Sequence, residues 1–434
     1  PEVSKEELLR VMVVGSGGRE HALLEALARS PLQPELYAAP GNPGMARLAH
    51  TVDISANDLT GLRDFASENG IDLTVVGPED PLIWGITDCF WEAGLKVFGP
   101  SRSAARIEGS KVFAKETMRN AGVPTAPFKA FDMQEPALAH LRSRSESEFP
   151  VVVKVDGPVA GKGVTVARSR EEAEGAVRES FSGRFGAAGE RVLIEECLQG
   201  WEASIFVITD GVDILPFLPA QDYKRIHDGN EGPNTGGMGA YSPIGWMEPR
   251  TYAAILEDII KPTLNQLSMV GARYSGLLYA GVMITEDGPK ALEFNCRFGD
   301  PETQALLPRL ETDLLELMIA CDEERLAGYE IEWSADKAVC VVLASDGYPE
   351  SSSRGDEISG PDDLPMGVYV YHAATREQGG ALQTDGGRVL NVIGTGESVI
   401  EARARAYAAV EQIHFPGMQY RTDIALEAME LEEF

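Results

Sequence analysis

Cysteine is scarce in this chain and shows no pairing pattern: Cys89, Cys197, Cys296, Cys321 and Cys340 are scattered, five in all, without a CxxC spacing. An odd, dispersed set excludes a disulfide framework or a cysteine-built zinc site and fits a reducing cytoplasm. Long apolar runs are also missing. No stretch approaches the roughly 18 residues that cross a bilayer, so a membrane-spanning helix is not expected. The opening PEVSKEELLR carries neither an apolar signal core nor an Arg/Ser-rich transit pattern, and no targeting is expected from it. Positive charge is the third shortage. Only 38 Lys and Arg stand against 68 Asp and Glu, a formal net charge of -30. Such a surface repels nucleic acid and anionic membranes, so neither is an expected partner. Anionic substrates must then be attracted locally, and the few lysines become informative. Lys111, Lys154, Lys162 and Lys224 all fall in Gly-rich or strand-end motifs.

What is present is globular. With 434 residues, 44% hydrophobic and 24% charged, the chain divides into about three domains at roughly 150 residues each. From Val11 to about Gly99, strand-like runs (VMVVG, ELYAA, LTVVG, KVFG) alternate with helical patterns, a rhythm that predicts a parallel sheet. A helix over Ser110 to Asn120 leads to the turn GVPTAP and a new domain. Val151–Val155 and Val164–Ala167 flank a Gly-rich loop, and a helix over Glu171 to Ser180 leads to RVLIEE, the pattern of a small α+β lid. Leu277–Thr285 and Lys290–Phe294 read as a hairpin joined by the turn Asp287-Gly288. From Ala338 onward the runs AVCVVLAS, GVYVYHA and RVLNVIGTG precede an Ala-rich helix over Val399 to Ile413, a C-terminal α+β unit.

Several motifs carry chemistry. The loop GSGGREH, including Gly17, Gly18 and Arg19, leaves a strand and opens a helix, where backbone N–H groups receive a phosphate. Glu20 stands where a dinucleotide fingerprint needs its third glycine, and no acid clearly ends the second strand, so a phosphorylated small molecule is the expected ligand rather than NAD. PGNPG with Asn42 and GPEDP with Glu79 follow later strands toward the same sheet edge, and Glu79 can accept from an amine. The loop Asp156–Gly163, with Gly161, Lys162 and Gly163, is one residue short of a Walker motif and is followed by a strand. It suits a flap laid over triphosphate oxygens. Alternation sets Lys154 on the opposite face from Val151, Val153 and Val155, as a second phosphate contact. Glu195, Glu196, Cys197 and Leu198 run from a strand into a hinge whose main chain can read an adenine edge, and Glu202 can hold ribose hydroxyls. In LEFNCR the same alternation puts Glu293, Asn295 and Arg297 on one face, hard oxygen donors beside a cation, as magnesium-phosphate chemistry requires. Asp300, Pro301 and Glu302 then read as an acidic helix start that needs no function. GPNTGGMGA, preceded by Gln221-Asp222-Tyr223-Lys224-Arg225, reads as a mobile loop or linker beside a charged strand end.

In order, GSGGREHAL, PGNPG, VVGPEDPL, FGPS, SKVFAKETM, AGKGV, IEE, PAQDYKR, GPNTGGMGAY, YAGVMI, LEFNCRFGDPE, SDGYP and GGRVL span nearly the whole chain. In this set the chain resembles the glycinamide ribonucleotide synthetase (phosphoribosylamine-glycine ligase) family of the ATP-grasp superfamily. The resemblance implies an α/β and α+β multidomain protein. Its parts are a Rossmann-like domain over 1–108, an ATP-grasp domain over 109–129 and 191–334, a lid over 130–190, and a C-terminal domain over 335–434. It implies ATP and Mg2+ or Mn2+ as cofactors, and glycine and 5-phosphoribosylamine as substrates of a cytoplasmic enzyme, with a monomer expected. Lys111, Lys154 and the Lys162 flap then resemble the triphosphate contacts, with Glu195 to Leu198 as hinge and Glu202 at the ribose. Glu293 and Asn295 resemble the metal ligands. Asp222 and Arg297 resemble the glycine anchors, with Lys224 beside them in the catalytic set. The N-terminal loops and Arg388 of GGRV resemble the phosphoribosylamine site. The flap reads GPVAGKGV for the usual GLAAGKGV, and RTDIA replaces RxDIG; neither change removes a reactive group. Rival readings are an ATP-grasp ligase of another carboxylate or amine, a nicotinamide dehydrogenase, and a nucleotide sensor without catalysis.

Overall fold

A computed structural model describes residues 8–157, 163–361 and 363–432. The N-terminal rhythm resolves into five parallel strands in the spatial order His50–Thr51, Glu35–Pro40, Arg10–Gly15, Leu73–Val76 and Val97–Phe98. Val11 and Val13 join one apolar core while Met12 and Val14 join another, so the central strand is buried on both faces. That burial requires helices on each side of a parallel sheet. Helix Gly18–Ala28 covers one face, and Leu59–Glu68, N-capped by the Asp58 carboxylate, supplies Leu62 and Ala66 to the other core.

Two antiparallel sheets follow. The first orders Ile214–Pro216, Trp201–Thr209, Gly276–Thr285 and Gly288–Asn295. The turn between its last two strands is Glu286-Asp287, one residue earlier than expected. Gly288 already pairs with Thr285, and its φ of 109° suits only glycine. The second sheet orders Phe128–Phe131, Val192–Glu196, Val151–Val155 and Val164–Ala167, with helices Gln134–Ser143 and Arg170–Glu179 packed on the face that carries Val151, Val153 and Ile194. This is the small α+β unit expected as the lid, with Phe128–Phe131 at the edge of its sheet paired to Val192–Glu196 at the centre.

A fourth group, Gln221–Asp222, Gly239–Ser242, Lys337–Ala344, Arg388–Gly396 and Val368–His372, forms the C-terminal sheet, covered by helix Val399–Val410. Two of its strands therefore come from the middle of the chain. The segment expected as a mobile loop or linker is ordered. Arg225–His227 pairs with Glu231–Asn234, Thr235 N–H donates to Lys224 O, and Met238 N–H donates to Tyr223 O. Its glycines serve close packing rather than freedom: a Cβ on Gly237 would stand 2.4 Å from Pro301 Cδ. Among the described residues no helix is long and apolar enough to cross a membrane.

Candidate functional site

The face of the first antiparallel sheet is set by register. Tyr279 stands opposite Asn295, Gly281 opposite both Glu293 and Ser204, and Glu202 opposite Met283. Directly paired residues share a face, so Glu202, Ser204, Tyr279, Glu293 and Asn295 project together. On the lid, Lys154 pairs with Leu193 and Val152 with Glu195, all on the face turned away from the lid helices. The two faces bound one cleft of about 1290 Å³, lined by Lys111, Lys154, Lys224, Glu293, Asn295 and Arg297. Arg19 and Glu79 from the first domain and Arg388 from the last also reach its wall.

Glu293 is the electrostatic centre. Lys224 Nζ lies 3.7 Å from Glu293 Oε1 and also bonds Glu202. Burial alone would raise the Glu293 carboxyl, but Lys224, then Lys154 and Lys111, hold it down at about 2. It is an anion at any working pH. Lys224 is raised above the usual lysine range against its own burial by Glu202 and Glu293, so it stays charged. Lys111, at the first turn of helix Lys111–Ala121, donates to Gly157 O at 2.8 Å. Its helix is tied to the flap: Asp156 accepts from Ser110 Oγ at 3.0 Å and Val112 N–H at 3.1 Å, and Gly163 O accepts from Val155 N–H. Gly161 and Lys162 lie outside the described residues.

The hinge segment holds a surprise. The Glu195 side chain, 3% exposed, turns inward between Lys154 and Lys115, with Lys115 Nζ at 2.7 Å. Lys115 also donates to Thr125 Oγ1 at 2.6 Å. Glu195 thus holds Lys154 in place, while Glu196, Cys197 and Leu198 lie outside the cleft lining. Sequence reasoning missed Lys115, because a lysine in a helix reads as solvent-facing until its distant partner is known.

Arg297 is gripped by the first domain. Its Nε donates to Glu79 Oε2 at 3.2 Å and its Nη2 lies 3.0 Å from Glu108 Oε1. Nη1 donates to Phe298 O at 3.2 Å and Nη2 to Asn295 Oδ1 at 3.3 Å. Against burial, Arg297 and then Arg19 hold the Glu79 carboxyl at about 2. Glu108, also missed from sequence, accepts from Cys296 N–H at 2.7 Å with its other oxygen.

Asp300 and Glu302 do more than start a helix, because the structure shows no side-chain cap there. Asp300 Oδ2 receives Arg388 Nη2 at 2.9 Å, fastening the C-terminal domain, and Arg388 Nη1 donates to Gly236 O and Asp300 O. Glu302 accepts from Tyr279 Oη at 2.7 Å and Ser204 Oγ at 3.0 Å. Burial, then the nearby charge of Glu302, pushes the Asp222 carboxyl well above the ordinary range. Asp222 Oδ1 is buried and has no hydrogen-bond partner among the described residues.

The N-terminal loop is held from within. Glu20 accepts from Gly17 N–H at 2.6 Å and from Arg19 Nε at 2.5 Å, and Arg19 also donates to Phe298 O. Gly18 lies so close to Asn391 that a Cβ would meet its amide nitrogen at 2.1 Å. Asn42 donates to Ser16 O and His372 O, both at 2.9 Å, joining first and last domains. Gly17, Gly18 and Asn42 are absent from the cleft lining. In RTDIA, Ala425 takes a φ of 60°, a conformation that favours the glycine of the family pattern.

Two sheets closing on a lysine-lined cleft with a carboxylate at its floor define an ATP-grasp enzyme. Profiles of the phosphoribosylglycinamide synthetase N domain, ATP-grasp (A) domain and C domain match residues 9–108, 109–303 and 338–427. Phosphoribosylamine--glycine ligase of Caldanaerobacter subterraneus is 47% identical over 96% of this chain and 99% of that protein. The Vibrio vulnificus ligase of the same name is 46% identical over 98% of this chain and 100% of its own. The crystal structure of phosphoribosylamine--glycine ligase from Thermotoga maritima superposes with a TM-score of 0.85 at 33% identity, covering 96% of this chain and 100% of that one. A biotin carboxylase domain from Hydrogenobacter thermophilus, solved with MgADP and bicarbonate, shares the fold at TM-score 0.73 and 17% identity, covering 95% and 91%. The chain belongs to the phosphoribosylglycinamide synthetase family, and its reaction is the ATP-dependent joining of glycine to 5-phosphoribosylamine in purine biosynthesis.

Proposed function

We propose that this reaction runs through glycyl phosphate in the cleft between lid and sheet, with Glu293 at its charge centre. The observation that carries the proposal is the gathering of Lys111, Lys154, Lys224 and Arg297 in one cleft with the Glu293 carboxylate, Lys224 at 3.7 Å from it. Glu293 and Asn295 offer hard oxygens on one strand face, and the first is ionised. Among the described residues no group of three or more His, Cys, Asp or Glu could hold a metal, so a cation here needs further oxygens, such as those of a triphosphate. Glu293 and Asn295 would hold Mg2+ or Mn2+, which would supply charge neutralisation for the phosphate oxygens when bound.

Lys111 and Lys154 bind the phosphates, and the flap with Gly161, Lys162 and Gly163 covers them. Glu202 in the cleft lining faces the ribose, and the hinge main chain at Glu196 to Leu198, just beyond that lining, is the segment that would read the base. Arg297 binds the glycine carboxylate. The glycine ammonium supplies the hydrogen bond that buried Asp222 Oδ1 lacks, and its positive charge favours the Asp222 carboxylate against the burial that raises it. Lys224 stays protonated beside the transferring group. A carboxylate oxygen attacks the γ-phosphorus while the bond to the β–γ bridging oxygen breaks, giving glycyl phosphate and ADP. The amine nitrogen of 5-phosphoribosylamine then attacks the acyl carbon. The C–O bond to phosphate breaks, and the proton shed by nitrogen leaves with phosphate. Arg19, Glu79 and Arg388 border the phosphoribosyl group, while Asn42, Gly17 and Gly18 shape the loop behind them. Catalysis is positioning plus charge neutralisation in a site that excludes water from the acyl phosphate. The test is ADP release with glycine, amine and divalent ion omitted in turn. Dependence on all three is expected, and release without glycine overturns the scheme.

A further inference from the structure

Four of the five N–H donors of Arg297 meet protein acceptors: Nε meets Glu79, one Nη1 N–H meets Phe298 O, and Nη2 meets Glu108 and Asn295. A substrate carboxylate can therefore reach Nε, or either Nη2 donor, only by replacing the acceptor already there. Phe298 O is main chain. Glu108 is locked at both ends, one oxygen on Arg297 and the other on Cys296 N–H at 2.7 Å, with only 9% of its side chain exposed. Asn295 is neutral and sits on the Glu293 strand. Glu79 differs from all three. Its side chain is 29% exposed, it touches Arg297 through one oxygen at 3.2 Å, and it sits at the first position of the short helix Glu79–Trp84 just after a strand end. Chemically it is a carboxylate, the same group that glycine brings.

Building on the glycine-anchor reading of Arg297, we propose that Glu79 and the glycine carboxylate compete for one edge of that guanidinium. The displaced Glu79 then accepts a hydrogen bond from the amine of the second substrate. Arg19, the second cation that lowers the Glu79 carboxyl after Arg297, still favours its anion when Arg297 is taken. An anionic acceptor orients a primary amine by holding one N–H, leaving the lone pair directed at the acyl carbon. Glycine would thus prepare the amine site by releasing its acceptor, a coupling between two ligands carried by one side chain. Only Glu79 among the acceptors on Arg297 both belongs to the first domain and has room to turn into the cleft.

The measurement is steady-state ADP release by Glu79→Gln with each substrate varied at saturating levels of the other. Loss of the competing charge predicts that KM for glycine falls about threefold to tenfold, the range of a partly exposed ion pair. KM for 5-phosphoribosylamine rises about tenfold or more, because an amide cannot offer the anionic acceptor. Glu79→Asp, which keeps charge but shortens the arm, should fall between the two for both constants, and it serves if the glutamine variant folds poorly. A glycine KM that is unchanged or raised in both variants overturns the competition. Wild-type enzyme that releases ADP without glycine would instead overturn the glycine-anchor reading, so the two failures are distinguishable.

Discussion

Glu195, on the lid sheet, sits between Lys154 of the same sheet and Lys115 of helix Lys111–Ala121, and removing it should cost far more than removing Lys115. The Lys115 and Glu195 side chains are each 3% exposed, and Lys154 is 9% exposed. Glu195→Gln leaves two buried ammonium groups facing each other without a counter-charge, a loss of about 3–5 kcal/mol for a broken buried pair. Lys115→Met keeps the aliphatic stem and leaves a one-to-one Lys154–Glu195 pair, so its cost should stay near ~1 kcal/mol. The assay is amide hydrogen exchange on Val151–Val155 and Val192–Glu196, because global unfolding of a multidomain chain is not two-state. Glu195→Gln should speed exchange on these strands by roughly 100-fold or more, and Lys115→Met by less than about tenfold. The double variant should exchange more slowly than Glu195→Gln alone, since one of two opposed cations is gone. Equal acceleration by both single changes would refute the reasoning. The sign with pH follows from Lys115, whose pKa burial lowers to about 8 from the usual 10.5. Between those values the unfolded chain keeps a proton that the folded one has lost, so wild type gains stability over Lys115→Met as pH rises through that window.

Two further outcomes follow from the cleft. Glu293→Gln should lower kcat by roughly 100- to 1000-fold with an unchanged circular dichroism spectrum, as for loss of one preorganised charge contact; near-normal turnover at saturating magnesium would remove Glu293 from the centre. Gly237→Ala should cost about 2–5 kcal/mol in thermal stability, because its φ of 114° is strained for alanine and the Cβ would press on Pro301 and on Asp222 Oδ1 at 2.7 Å. An unaltered melting temperature would show that the loop yields.

The parallel N-terminal sheet was legible because its strands are buried on both faces and read as unbroken apolar runs between helical patterns. The strand with Glu293 and Asn295 was legible from period-2 alternation around buried Phe294. Lys115, Glu108 and Glu302 were not, since each acquires meaning only from a partner far along the chain: Glu195, Arg297, and Ser204 with Tyr279. Local pattern offers no signal for such pairs. The strands Gln221–Asp222 and Gly239–Ser242 are two and four residues long, too short for periodicity, and glycine content made their neighbourhood look like a loop.

Those same two short strands decide how the molecule can be taken apart. Gly239–Ser242 lies beside Lys337–Ala344 and is wholly buried, with Gln221–Asp222 outside it. The last hundred residues are therefore no detachable cassette. A truncation before residue 335 would bare the Gly239–Ser242 edge to any extended chain nearby and invite aggregation. A graft of the C-terminal part from a relative succeeds only when its donor also accepts this foreign border strand.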